Sequence, residues 1–261
     1  MTLTEAITAR HSVRSFTDRK IDDSIAAELQ KTIDDCNRLS GFRIQLMLDE
    51  PNAFSTRMAH YGNFHNCKNY IAMIGPKGHD EDCGYYGESI VLQCVYHGLG
   101  TCWVSGTYNE NKVYETVNLA SEKRIYAVIT IGYAKDNYSL IEKTMYNATH
   151  KKSKTYQDMF EACDAKLPEE YAYGMKLVEK GPSAVNRRPV KFRYENGVLS
   201  GYVDEPYSDK SVDFGIAKLH FLIGVKSKGI NGKWSFDNVS EQTQSQRIKF
   251  ESKNEEENDN E

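Results

Sequence analysis

The chain has 261 residues and a formal net charge of −4, and its 39% hydrophobic and 27% charged residues are ordinary for a soluble globular protein. The tail, residues 251–261, contains six acids and one lysine, so the rest of the chain is close to neutral. A near-neutral body argues against a nucleic-acid-binding surface. The polar, like-charged tail is predicted to be disordered.

Targeting and cysteine patterns narrow the class of protein further. The sequence has no signal-peptide pattern and no apolar run that approaches a membrane span. Its six cysteines include no CxxC pair, which matches neither a disulfide framework nor a zinc site. We therefore expect a cytoplasmic protein with reduced thiols and with no metal, membrane or nucleic-acid partner. Cys102 is a candidate reactive thiol, but burial in the core is favoured.

Helices and strands are predicted throughout residues 1–150. After an opening helix over residues 4–10, Ile25, Leu29 and Ile33 fall at helical spacing and predict an amphipathic helix over 21–39. The later elements predicted in this half are strands over 42–50 and 69–77, an apolar helix over 85–100 that ends at glycine, and a buried strand over 123–133.

A lysine-rich linker over 147–157 separates these elements from a second set. The second set comprises a helix over 168–181, a hairpin over 189–204 that turns at Asn196-Gly197, and an apolar helix over 212–229.

The two sets share an outline. In each, an apolar helix begins near a glycine and is followed by a tryptophan, as in Gly87 with Trp103 and Gly215 with Trp234. The shared order predicts an α+β fold with two half-repeats, over residues 1–150 and 151–250, followed by the tail. Two halves built on one plan would form a single-chain pseudo-dimer.

The first stretch with chemical potential is "ARHSVRSF" at residues 9–16. Arg10 carries a planar set of donors suited to phosphate oxygens, and Ser12 adds a hydroxyl. Arg14 could reach a second electron-rich group on the same ligand. The alternative is a charged helix end facing solvent, because short Arg/Ser clusters are common on surfaces.

The second stretch, "GLGTCWVSG" at residues 98–106, contains three glycines, so its backbone can approach a flat ligand closely. Its N–H groups could donate to a ring nitrogen or carbonyl. The alternative is a plain helix C-terminus leading into a strand.

The third stretch is "KGPSAVNRRPVKF" at residues 180–192. Asn186 has both a donor and an acceptor, which suits the amide-like edge of a heterocycle. The alternative is an ordinary helix-to-strand turn, in which Pro, Ser and Asn are common.

Together the three stretches resemble the FMN-dependent nitroreductase family. The first matches the family's opening flavin motif, and the second its segment beside the central flavin ring. The third is similar to its PSxxNxQPW motif, with Arg188 in place of Gln and Val190 in place of Trp. That motif usually comes early, where this chain has "DDCNRLSGFRIQL" instead. Its late position is similar to a divergent branch with two half-repeats in one chain. The resemblance spans about residues 3–235.

The resemblance implies a nitroreductase-like fold with one bound FMN per chain and NAD(P)H as electron donor. It implies a flavin site shared between the two halves, as in the family's homodimers, so a pseudo-dimeric monomer is expected, and further dimerisation is left open. The implied cofactor-binding residues are Arg10, His11, Ser12, Arg14, Val104, Ser105, Gly106, Lys152, Lys154, Pro182, Ser183, Ala184 and Asn186.

These residues have distinct implied roles. Arg10 and Ser12 would hold the phosphate and ribityl, with Lys152 and Lys154 loosely matched to a further phosphate-binding base. Arg14 would lie beside the N1–C2=O edge, where a fixed cation stabilises the charge of reduced flavin. Backbone N–H groups of Ser105 and Gly106 would face N5 and O4. No side chain is required as a catalytic acid or base.

The implied function is an oxidoreductase that reduces a small organic acceptor, such as a nitro compound or quinone, by a ping-pong mechanism. Two alternatives stay open at this point. One is a flavin-binding or regulatory protein of the same fold without NAD(P)H turnover, which the altered third motif favours. The other is an unrelated α+β domain whose motifs match by chance.

Overall fold

The computed structural model describes residues 1–55, 62–117, 123–135, 144, 147, 153–203, 210–236 and 248–253. The chain divides into two compact units, Met1–Lys151 and Lys152–Glu261. Each unit contains a sheet and helices of its own, so the two are described separately.

The first unit includes the α-helices α1 (Leu3–Ala9), α2 (Asp23–Ser40), α3 (Asp80–Tyr96) and α4 (Glu110–Thr116). Helix α1 begins at a capping box, in which Thr2 and Glu5 exchange side-chain-to-backbone hydrogen bonds. Helices α1 and α2 both pack against α3. Eight residues of α3, between Cys83 and Cys94, are buried, which explains why this part of its sequence is largely apolar.

The sheet of the first unit contains β1 (Gln45–Met47), β2 (Asn69–Pro76), β3 (Gly100–Val104) and β4 (Lys123–Gly132). Its strand order is β1-β2-β4-β3, and all neighbouring strands are antiparallel. The two central strands are almost completely buried, as their β-branched sequences predict. Strand β3 lies at the edge of this sheet, which leaves one side of its backbone turned away from β4.

The second unit contains β5 (Phe160–Cys163), α5 (Glu169–Val178), β6 (Val190–Glu195), β7 (Val198–Val203), α6 (Lys210–Lys226), β8 (Asn231–Phe236) and β9 (Ile248–Lys253). Its strand order is β5-β6-β7-β9-β8, with β5 parallel to β6 and the other pairs antiparallel. Aromatic side chains dominate its core, where Phe221, Trp234 and Phe250 contact one another.

The two units repeat one arrangement of elements. The strand order β1-β2-β4-β3 of the first unit corresponds to β6-β7-β9-β8 of the second, and both sets are antiparallel. A helix precedes the first strand of each set (α2 and α5), and a buried helix joins the second strand to the third (α3 and α6). The predicted α+β fold class with two pseudo-repeats is therefore confirmed.

Most predicted elements are present, with shifted ends. The hairpin turns at Asn196-Gly197, where both residues have positive φ, 53° and 79°, as a type I′ turn requires. The strand predicted over 42–50 is limited to Gln45–Met47. Helix α3 begins at Asp80, five residues before its predicted start, because three consecutive acids occupy its first turn.

The end of the chain differs from its prediction in one respect. Residues 251–253 of the predicted tail are the last part of β9, paired with β8. Lys249 and Glu251 form an ion pair of 3.1 Å on this strand, so the acid has a local partner. Residues 254–261 lie outside the described residues, as do residues 148–152 of the predicted linker.

Close packing of two glycines makes the α5–α6 contact testable. A Cβ atom added at Gly224 would lie 2.6 Å from the Cα of Gly174. We expect Gly224→Ala to force the helices apart and to lower the free energy of unfolding by about 1–3 kcal/mol, measured by urea denaturation. Lys226→Ala, at an exposed position of α6, is the control and should change it by less than about 0.5 kcal/mol. Equal stability of the two variants would contradict the contact.

Candidate functional site

The opening motif lies beside the edge strand β3. The Val13 N–H donates to the Thr101 carbonyl with an N···O distance of 2.8 Å, and Ser12 forms a parallel bridge with Thr101. Further along, the Phe16 N–H donates to the His65 carbonyl at 3.2 Å. The structure thus brings the first and second predicted stretches together, although they are about 90 residues apart in sequence.

Alternation along this extended segment separates its apolar and polar side chains. Val13 is 6% exposed and packs over Gly100, where an added Cβ would lie 2.7 Å from a Val13 methyl group. Ser12 and Arg14 flank Val13 and therefore project to the opposite side. The Arg14 guanidinium carbon lies 5.9 Å from the centroid of the Phe64 ring, within range of a cation–π contact.

Arg10 caps the end of helix α1 and reaches the interior. Its N–H donates to the Ala6 carbonyl at 2.9 Å. Its Nε lies 3.9 Å from Oε1 of Glu88, a carboxylate with no exposed surface. The other oxygen of Glu88 accepts a hydrogen bond of 2.9 Å from Nε1 of Trp103. Arg10 is therefore held within a buried polar group, whereas its neighbour His11 is exposed.

The second predicted stretch divides into supporting and surface residues. Val104 is 4% exposed and belongs to the core of the first unit. The backbone N–H and C=O groups of successive residues in a strand point alternately to its two sides. The Thr101 carbonyl points outward to Val13, so the backbone groups of Trp103 also point outward and those of Val104 point toward β4. Ser105 and Gly106 are exposed just beyond the strand. They offer backbone donors, whereas the Val104 side chain only supports the strand.

The third predicted stretch forms a strained turn in the second unit. Val185, Asn186 and Arg188 have φ values of 47°, 55° and 46°, in the left-handed region that a β-branched residue such as Val185 rarely adopts. The Ser183 hydroxyl accepts the Arg188 N–H at 3.0 Å. Backbone strain of this kind is concentrated at functional sites, and it requires surrounding contacts to hold it.

Those contacts come from residues 153 and 154. The Asn186 side-chain amide donates to the Ser153 hydroxyl at 2.8 Å, and Lys154 Nζ donates to the Arg188 carbonyl at 3.3 Å. The Arg188 guanidinium donates in turn to the Lys154 carbonyl. Lys154 therefore braces the turn. Lys152 lies outside the described residues.

The opening motif and β3 together form the candidate site within the first unit. Their donor set comprises two guanidinium groups, a hydroxyl and edge-strand N–H groups, and this chemistry suits a flat anionic ligand. The placement of Pro182, Ser183, Ala184 and Asn186 toward a ligand stays a prediction. Sequence reasoning missed Glu88, although it is the only acid between residues 83 and 109 and lies in an apolar helix.

The buried thiols of the first unit lack the properties of nucleophiles. Cys67 donates to the Arg14 carbonyl over 3.9 Å, and burial together with the nearby Cys102 raises its pKa. Burial raises the pKa of Cys36 to about 11, with a smaller contribution from Asp35. A raised pKa keeps a thiol protonated at neutral pH, when it reacts slowly. Cys102 is 3% exposed, as the favoured packing role predicts.

Within the part of the chain that the structure describes, no three metal-binding side chains converge. No helix in that part is both long and apolar enough to cross a bilayer.

Comparisons with known proteins give similarity over most of the chain. A family model described as "Putative TM nitroreductase" matches residues 2–225. The crystal structure of a putative nitroreductase from Thermotoga maritima is 21% identical, with a TM-score of 0.59 over 96% of this chain and 93% of that chain. No curated protein matches.

Shorter solved structures match about half of the chain. A nitroreductase family protein from Clostridium novyi is 24% identical and covers 53% of this chain and 90% of its own, with a TM-score of 0.40. An FMN-dependent nitroreductase from Clostridium difficile is 19% identical and covers 51% and 88%, with a TM-score of 0.42.

Thiol labelling tests the burial around the site. Cys163 is the one exposed cysteine among the six, so we expect one thiol to react rapidly with DTNB at pH 8 and five to react only after unfolding. Cys163→Ser should abolish the rapid phase. A rapid phase that persists in this variant would contradict the buried placement of the other cysteines, Cys102 included.

Proposed function

The chain belongs to the family described as "Putative TM nitroreductase", and on that premise we propose that it is an FMN-dependent oxidoreductase that uses NAD(P)H to reduce a small organic acceptor. The family match excludes an unrelated α+β domain. The match to the Thermotoga maritima structure supports the nitroreductase-like fold along nearly the whole chain.

One observation carries the proposal. The hydrogen bond from Val13 to Thr101 joins the opening motif to the edge strand, and Ser12 lies opposite Thr101 of that strand. Two stretches that resemble flavin-contacting motifs are thereby neighbours, as binding of one cofactor by both requires. FMN has a phosphate at one end and a heterocyclic ring at the other, which fits a donor set of this kind.

The proposed roles follow from the chemistry of each group. Arg10 and Ser12 would donate to phosphate and ribityl oxygens, because a guanidinium forms strong charge-assisted hydrogen bonds with phosphate. The backbone N–H groups of the exposed residues Ser105 and Gly106 would donate to polar atoms of the ring. Arg14, held over Phe64, would stabilise the negative charge that reduction places on the cofactor.

Bound FMN would supply the hydride-accepting and hydride-donating centre, so this chain's residues need only bind, orient and stabilise charge. A nicotinamide donor and the acceptor would use the same site in turn, which gives ping-pong kinetics. Each motif occurs once, so the proposed stoichiometry is one FMN per chain. The physiological acceptor is proposed only by class, as a nitro compound, quinone or similar oxidant.

A flavin-binding protein without turnover is the second candidate, and the third motif favours it. Arg188 stands where the resemblance expects glutamine, and its guanidinium is engaged by the Lys154 carbonyl. A turn altered in this way would change the acceptor pocket more than the phosphate contacts. The contributions of Pro182, Ser183, Ala184 and Asn186 rest on the motif alone.

The absorbance spectrum of the purified full chain tests both candidates. We expect a yellow protein that contains one FMN per chain and loses its flavin absorbance on anaerobic addition of NADH or NADPH. Bound FMN that neither nicotinamide reduces would favour the binding protein. A colourless protein whose thermal stability does not change with added FMN would contradict both, because a ligand specific to the native state stabilises it.

Substitution of Arg14 separates binding from charge stabilisation. We expect Arg14→Ala to retain measurable FMN but to slow its reduction by NAD(P)H about 100-fold, because a cation near the developing charge is lost. Stopped-flow absorbance measures this rate. Arg19→Ala is the matched control, since Arg19 pairs with Asp22 on the surface. Equal rates in the two variants would contradict the role of Arg14.

A further inference from the structure

The structure contains a buried carboxylate that the family motifs do not use. Glu88 lies in the apolar helix α3 and has no exposed surface. Removing a carboxylate from water is costly unless charged or hydrogen-bonding partners replace the water. The residues that interact with Glu88 therefore indicate the role of this carboxylate.

Two partners of Glu88 belong to the two stretches of the candidate site. Trp103, in β3, donates from Nε1 to Oε2 of Glu88 over 2.9 Å. Arg10, in the opening motif, places its Nε 3.9 Å from Oε1, and its side chain is only 10% exposed. A single carboxylate thus connects the arginine proposed to meet phosphate with the strand proposed to border the ring.

Close packing fixes the position of the indole. A Cβ atom added at Gly87 would lie 2.3 Å from Cη2 of Trp103, so the ring lies directly on the α3 backbone. With the indole in that position, its N–H reaches the next residue, Glu88. The carboxylate consequently has one anchored hydrogen bond, and its second oxygen faces Arg10.

The second unit provides an internal comparison. Trp234 occupies the place in the repeated topology that Trp103 occupies in the first unit, and it too packs on the buried helix. Its Nε1 donates instead to the backbone carbonyl of Lys218, over 3.2 Å. An indole in this position can therefore be satisfied without a carboxylate, so Trp103 alone does not account for Glu88.

We infer that Glu88 is a positioning residue that orients the Arg10 guanidinium toward the phosphate of the cofactor. This inference rests on the proposed function. A carboxylate near Nε offsets part of the cost of burying the arginine and restricts the orientations that its guanidinium can adopt. An arginine oriented before binding loses less conformational freedom when the phosphate arrives.

Comparison of FMN with riboflavin, which lacks the phosphate, tests the inference by binding alone. Dissociation constants are measured by flavin fluorescence on the full-length apoprotein. Wild type should prefer FMN. Glu88→Gln retains the size of the side chain and an acceptor for Trp103, but it removes the charge opposite Arg10. We expect it to weaken FMN binding about tenfold and to leave riboflavin binding unchanged.

A double variant distinguishes positioning from an independent effect. Arg10→Ala should remove the FMN preference, and adding Glu88→Gln to it should cause no further loss, because the second residue acts through the first. If Glu88→Gln does not fold, Trp103→Phe replaces it, since it frees the carboxylate while keeping both charges. It should reduce the preference for FMN, whereas the matched Trp234→Phe should not.

The outcomes separate this inference from the proposed function. Wild-type protein that binds neither flavin overturns the proposed function. Wild type that binds both flavins equally shows that Arg10 does not meet the phosphate and overturns the inference. The inference is also overturned if Glu88→Gln keeps or increases the preference for FMN, or if it weakens the binding of FMN and of riboflavin equally. The same holds if the double variant loses FMN affinity by the full effects of both substitutions.

Discussion

The candidate site depends on one backbone interaction, the hydrogen bond from the Val13 N–H to the Thr101 carbonyl. It attaches the opening segment to an edge strand, where a partner can be added because one side of the strand is not paired with β4. Gly100 makes this approach possible, since a side chain there would collide with Val13. With Val13 turned into the core, Ser12 and Arg14 must face the other way.

A buried polar group secures the same arrangement from within. Glu88 interacts with Trp103 of β3 and with Arg10 of the opening segment, so the helix, the strand and the segment meet at one carboxylate. Burial makes the loss of any one partner costly in free energy, because the remaining polar groups are left without hydrogen bonds. The cost of burying Glu88 is understandable if the orientation of Arg10 matters for binding.

The repeated topology shows how similar elements acquire different local roles. Both units place a tryptophan on a buried helix, yet only the first connects its indole to a carboxylate. The turn before β6 in the second unit has strained residues, whereas α2 in the first ends at Gly41 with an ordinary left-handed cap. Because the two units have diverged in this way, the repeat can be recognised in the sequence from the order of helices and strands, whereas the sequence identity between the units is low.

The sequence by itself determined the element order, the α+β class and the family, because periodicity, turn residues and short motifs are local properties. It predicted the Asn196-Gly197 hairpin and identified both stretches of the candidate site. Only the tertiary structure decided which residues meet. Val104 lies in the core and Ser105 at the surface because strand alternation fixes their directions. Glu88 became significant only when folding placed Arg10 and Trp103 against it, and contacts between residues so distant in sequence leave no local pattern to read.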